Sequence, residues 1–178
     1  MLEIPPPDIR IRSSDVPPTA TAQHKGAFIR DGKVHFYKRQ DVVESEFDWY
    51  HIVAPYRPKE PLDGPLYVRV CLAWPYTAAT PKRVRERKAV VPIDRRPDLD
   101  NLLKSLLDVL TRAAIIAEDA RIAVLLAAKV RTPHGGVSID IGRLPRTFDS
   151  FTPEEQLEQI QLPLFDLIKE TKEGPREP

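Results

Sequence analysis

The chain has a single cysteine, Cys71, in 178 residues, so it can form no internal disulfide and offers no thiolate-rich zinc cage. The compartment this suggests is a reducing cytoplasm. No run approaches the roughly 18 consecutive apolar residues of a membrane span, and Met-Leu-Glu-Ile-Pro-Pro-Pro-Asp lacks the basic flank and apolar stretch of a secretory leader. A membrane partner is not expected. The four histidines, His24, His35, His51 and His134, show no mutual spacing of the zinc type. Net charge is almost absent as well, at +1, which would argue against a polyanionic partner if the charge were evenly spread.

It is not evenly spread. Residues 82–96 carry Lys82, Arg83, Arg85, Arg87, Lys88, Arg95 and Arg96 against only Glu86 and Asp94, whereas residues 149–178 carry eight acids against three cations. A phosphate backbone responds to the local field, so this basic band is a candidate DNA track beside which an acidic tail stands apart. A solvated basic loop is the plainer reading of the same residues. Proline is in excess, nineteen in all, about twice the usual share.

Five of those prolines fall within residues 1–18, which read as part of an extended arm over residues 1–20. A body follows over 21–148 and an acidic tail over 149–178. Two apolar stretches flanking Asp31-Gly32 predict a hairpin from Ala27 to Lys38. Val42, Val43, Phe47, Tyr50 and Ile52 recur at helical spacing before Pro55, and Leu66 to Trp74 is a buried strand that places Cys71 in the core. The aromatics Phe28, Phe36, Tyr37, Trp49 and Tyr50 are expected mostly in the core, with stacking on unpaired bases as the alternative. Residues 76–97 read as a loop.

Neither Gly nor Pro occurs between Pro97 and Pro133, which marks the centre of the fold. Leu102, Leu103, Leu106, Leu107, Leu110 and Ala114 form an apolar helical stripe, with Asp100, Lys104, Asp108 and Thr111 on the opposite side. Ile122 to Arg131 is a strand, Pro133-His134-Gly135-Gly136 a turn, and Val137 to Ile141 a second strand antiparallel to the first. Thr152-Pro153-Glu154-Glu155 is a capping box that predicts a short acidic helix bearing Leu157 and Ile160. The elements describe an α+β fold, a small mixed β-sheet with packed helices.

Chemistry concentrates in Pro97-Asp98-Leu99-Asp100-Asn101-Leu102-Leu103-Lys104 and in Glu118-Asp119. Asp100 is expected at the helix N-cap with Asp98 just upstream, and Asp119 would join them if the next strand runs back beside the helix. A few converging carboxylates suit a hard divalent cation that keeps open positions, and Lys104 would meet phosphate charge. The same residues would also serve as plain caps and solubilising groups.

The block Asp98-Leu99-Asp100-Asn101-Leu102-Leu103-Lys104-Ser105-Leu106-Leu107-Asp108, followed by Ile116-Ala117-Glu118-Asp119, resembles the signature of the RusA-type Holliday-junction resolvases. That resemblance implies a small α+β domain working as a homodimer that cuts four-way DNA junctions with Mg²⁺ or Mn²⁺. It implies Asp98, Asp100 and Asp119 as metal-binding catalytic acids and Lys104 as the catalytic lysine, with Asn101 and Asp108 in support. Glu118 stands where the family often has Asp, and Ala113-Ala114 where it often has Gly or Asn. Two other readings stay open: a non-catalytic protein that binds junction or duplex DNA, and a metal-dependent enzyme acting on another phosphoester.

Overall fold

The computed structural model describes residues 5–21 and 25–146. The acidic tail, its expected helix and His24 lie outside the described residues.

The proline-rich segment is extended as expected, but it is also part of the body. Ile9–Ser13 is strand β1, and Ile9 and Ile11 are core residues. The segment is tied down further by Tyr67, whose hydroxyl donates to the Pro5 carbonyl, and by Trp74, whose indole N–H donates to the Pro17 carbonyl. Two apolar side chains at alternate positions are enough to seat such a strand on a sheet edge. The hairpin follows as β2 (Lys25–Arg30) and β3 (Lys33–Lys38), with Asp31 and Gly32 both at positive φ, as its two-residue turn requires. It forms its own two-stranded sheet.

Helix α1 spans Gln40–Val53. Its buried side is Val42, Ser45, Trp49, Ile52 and Val53, while Val43, Phe47 and Tyr50 are exposed. Phe28, Phe36 and Tyr37 of the hairpin are exposed too. The expectation that most of these aromatics are core therefore holds for Trp49 and fails for the other four. The pattern is apolar enough for either role; no second layer covers that side among the described residues.

Strand β4 (Leu66–Pro75) is the centre of a five-stranded sheet and is buried along most of its length. Cys71 is in the core as expected, and burial pushes its thiol up to about 11 despite the nearby charge of Arg12. The segment read as a loop holds two short elements, helix α2 (Lys82–Glu86) and strand β5 (Val91–Pro92). Neither has the length to show a period in sequence.

Helix α3 (Leu99–Arg112) carries most of the predicted stripe, though Leu107 is only partly buried and Ala114 falls beyond the helix end. Leu102, Leu103, Leu106 and Leu110 are buried with Val109, and Asp100, Lys104 and Asp108 line the exposed side. The helix links β4 to the parallel strand β6 (Ile122–Thr132), the usual way of joining parallel neighbours. Strand β7 (Gly136–Arg143) runs antiparallel to β4. It does not form a hairpin with β6, because β4 lies between them in the order β1-β7-β4-β6-β5. Gly136 marks the crossing: at φ 135° its added Cβ would stand 2.8 Å from the Ser13 carbonyl oxygen.

One face of the sheet packs Leu66, Val68, Val70 and Leu72 of β4 and Val137, Ile139 and Ile141 of β7 against Trp49 of α1 and the leucines of α3. The mixed sheet with packed helices is the α+β architecture expected from the sequence.

Candidate functional site

The acidic block stands at the N-terminal end of α3. Asp98, in extended backbone at φ −71°, ψ 138°, is the N-cap, and Asp100 lies inside the first turn. The expected N-cap is thus corrected by two residues, from Asp100 to Asp98: Pro97 holds the preceding residue extended, so the helix opens as soon as the chain leaves it. Neither carboxylate caps the helix through its side chain, since Asp98 makes no side-chain cap hydrogen bond and Asp100 is exposed beyond the cap. Lys104 follows Asp100 by one turn on the same exposed ridge. Among the described residues, Asp98, Asp100 and Lys104 form no ion pair with one another or with any other group. Two carboxylates and an ammonium are therefore presented to solvent, available to an incoming ligand.

Sequence reasoning missed the residue that fixes this end. Lys129 of β6 donates from Nζ to the carbonyls of Arg95 at 2.6 Å and Pro97 at 2.7 Å. One side chain thus pins the last residues of the basic band and the residue before Asp98 to the strand. The only signal is a lysine inside an otherwise apolar run. The band itself is exposed throughout: Lys82, Arg83, Arg85, Arg87, Lys88, Arg95 and Arg96 all face solvent. Lys82 meets Glu86 at 3.7 Å and Arg95 meets Asp94 at 4.0 Å; the other five cations have no ion pair among the described residues. β5, in the same segment, pairs with Val130 and Arg131, which ties the band to the end of β6 that carries Lys129.

Asp119 is elsewhere. It opens the one-turn helix Asp119–Arg121 that leads into β6, and it lines an open depression with Asp108, Thr111 and Arg112 from the last turns of α3 and with Lys38 and Glu46. The fourteen residues of α3 span about 21 Å at 1.5 Å per residue, so the two ends of the helix stand far beyond the reach of a shared ion. β6 does run back along α3, but its first residue lies at the helix's C-terminal end. Convergence of the three acids within one chain is therefore not what the structure contains. In keeping with this, no group of three or more His, Cys, Asp or Glu among the described residues is placed to hold a metal ion.

The depression around Asp119 has its own ion-pair cluster. Glu46 accepts from Lys38 at 2.8 and 3.0 Å and from Arg112 at 3.0 Å. Burial alone would raise its carboxyl, but these two cations outweigh burial and hold it below the ordinary 4.5. Asp108, a neighbour in the expected signature, shares the depression with Asp119.

The turn between α3 and Asp119 explains how Ala113-Ala114 fits. Ala114 adopts φ 56°, its N–H donates to the Thr111 carbonyl at 3.0 Å, and the Ile115 N–H donates to the Leu110 carbonyl at 3.0 Å. That is a Schellman closure, sealed by buried Leu110 and Ile115.

Residues 15–142 match the family model described as endodeoxyribonuclease RusA. The chain is also 30% identical over 121 residues to the crossover junction endodeoxyribonuclease RusA of Lactococcus phage r1t, a match covering 68% of this chain and 87% of that protein. The matched region begins after β1 and takes in the exposed ridge, the pinned basic band and Asp119; the chain belongs to the RusA endodeoxyribonuclease family.

Proposed function

We propose that this chain is a metal-dependent endodeoxyribonuclease that resolves four-way (Holliday) DNA junctions, hydrolysing phosphodiesters in paired strands. The observation that carries the reading is the juxtaposition at one end of α3. Asp98, Asp100 and Lys104, without ion pairs among the described residues, stand beside a basic band that Lys129 and β5 fix to the same end of β6. Carboxylates repel a phosphate backbone unless cations compensate, and here the cations lie next to them in the chain. Membership of the RusA family and the activity named for the phage relative support the same substrate.

In this reading the chain works as a homodimer, Asp98 and Asp100 of one copy and Asp119 of the other are the ligands for Mg²⁺ or Mn²⁺, Lys104 meets charge on the scissile phosphate, and the band at 82–96 tracks the flanking duplex. The test is incubation with a labelled synthetic four-way junction and a linear duplex of the same sequence, in Mg²⁺, Mn²⁺ or EDTA, with Asp100→Asn alongside. Paired cuts in the junction alone, lost with EDTA and with Asp100→Asn, are expected. Cutting of both substrates would withdraw the junction specificity. Tight binding without cutting would make this a DNA-binding protein whose acids only solubilise and begin a helix.

A further inference from the structure

The hairpin β2–β3 is a two-stranded sheet of its own, and every residue of β3 faces solvent. An isolated hairpin is marginal in water and gains nothing from uncovered rings, so their placement points to a partner. The register sorts them by face. Tyr37 stands opposite Gly26, Phe28 opposite His35 and Arg30 opposite Lys33, and alternate residues share a side. One face therefore carries, from root to tip, Tyr37, then Phe28 with His35, then Arg30 with Lys33. The Phe28 and His35 rings stack with centroids 5.2 Å apart and 18° between their planes, and Tyr37 leans on Phe28 at 6.2 Å and 50°. Tyr37 lies across Gly26, where an added Cβ would collide with its ring. The opposite face, with Ala27, Ile29, Val34 and Phe36, has no ring contact among the described residues.

Phe28 is 48% exposed and Tyr37 52%, yet each ring is held by its neighbour before anything binds. A row of rings that ends in cations suits a ligand with a flat π-face and a phosphate, which is an unstacked nucleotide. An aliphatic ligand would be served as well by the opposite face and would gain nothing from the tip. There Arg30 meets Asp31 at 3.8 Å, while Lys33 has no ion pair among the described residues. The ribbon also stands beside a candidate acid. Its root residue Lys38 lines the depression that holds Asp119, and the five residue steps from Lys38 to Lys33 carry the tip about 17 Å outward. Linear duplex offers such a platform no free base face, because each base pair is stacked between two others. A branch point offers one wherever that stacking is interrupted.

We propose that the Tyr37–Phe28–His35 face of the hairpin is a stacking platform for a nucleobase left unstacked at a DNA branch point, with Arg30 and Lys33 on its phosphates. The hairpin, not the acidic ridge, then separates branched from linear DNA. That the ligand is branched DNA rests on the proposed function; the capture of an unstacked base needs no cleavage.

The test measures affinity in EDTA for a synthetic four-way junction, a linear duplex of the same sequence and a single-stranded oligonucleotide, so that no outcome depends on cutting. Phe28→Leu combined with Tyr37→Leu keeps apolar side chains but removes both rings. It should weaken junction and single-strand binding by about 5- to 150-fold, the worth of one base stack, and leave the duplex and the salt dependence unchanged. Phe28→Tyr combined with Tyr37→Phe should retain full affinity, and Phe36→Leu on the opposite face should change nothing. Phe28→Trp gives a readout that does not depend on how firmly the hairpin is folded. Its added fluorescence, over the background of Trp49 and Trp74, should be quenched by the junction and the single strand but not by the duplex. Equal losses on junction and duplex, full affinity in the double leucine variant, or an unquenched Phe28→Trp overturns the platform. Quenching that grows with protein concentration in the absence of DNA would put a second copy on this face and overturn it too. A chain that shows the expected quenching and affinity losses yet cuts no junction when Mg²⁺ is added keeps the platform and loses the nuclease reading.

Discussion

Asp140 is 1% exposed, yet it is charged and sits mid-strand on β7, on the face of the sheet away from α3. It stands between Arg12, 2.7 Å from one carboxylate oxygen, and Arg69, which hydrogen-bonds the other. A buried carboxylate survives only when paired, and removing one member strands the rest. Asp140→Ala should therefore cost about 3 kcal/mol, read as a lower urea midpoint with unchanged slope. Glu46 tests the opposite kind of pair, held by cations that are themselves half exposed. Its folded carboxyl titrates below 4.5, so its contribution is present above that pH and disappears as pH falls through the lower folded value. Glu46→Gln should lower stability by about 0.5–1 kcal/mol at pH 7 and by nothing measurable near pH 2, in parallel urea titrations. A gap that persists in acid would mean that packing, not charge, is what the side chain supplies.

Among the elements, α3 is the most completely specified by its own residues. Its leucines repeat at helical spacing, its polar ridge falls between them, and Pro97 sets the start. Its exit is the one strained point, since Ala114 adopts φ 56° where a Cβ costs about 1 kcal/mol relative to glycine. Ala114→Gly should raise the thermal midpoint, corresponding to about 1 kcal/mol of added stability less the flexibility that glycine brings to the unfolded chain. β6 is the reverse case. Its apolar run is legible as a strand, but one that is buried on both sides by neighbours and one that is an open edge read alike in sequence, because pairing is made by distant segments.

At the scale of the whole molecule, the charge asymmetry seen in the sequence becomes a fixed arrangement. The band is tied through β5 and Lys129 to the end of the sheet where Asp98 and Asp100 emerge. Replacing Arg83, Arg85 and Arg87 with Ala should weaken junction binding and flatten the dependence of log affinity on log salt by about 0.9 for each phosphate that is no longer neutralised. Equal affinity and slope would detach the band from DNA and favour a smaller phosphoester as the substrate.

The sequence by itself determined what depends on neighbours in the chain. Periodicity fixed α1 and α3, Asp31-Gly32 fixed the hairpin, and the four-residue spacing of Asp100, Lys104 and Asp108 fixed a ridge of one face, since a helical turn brings those residues together wherever the helix lies. It also carried the family signature. Only the tertiary structure decided which strands meet. It placed β4 between β6 and β7, drew Ile9 and Ile11 of the proline-rich segment into the core, and recruited Lys129 to hold Pro97. It also set Asp119 at the opposite end of α3 from Asp98. Each of these depends on pairings between segments tens of residues apart, where the energy lies in burial and hydrogen bonds that no local pattern encodes.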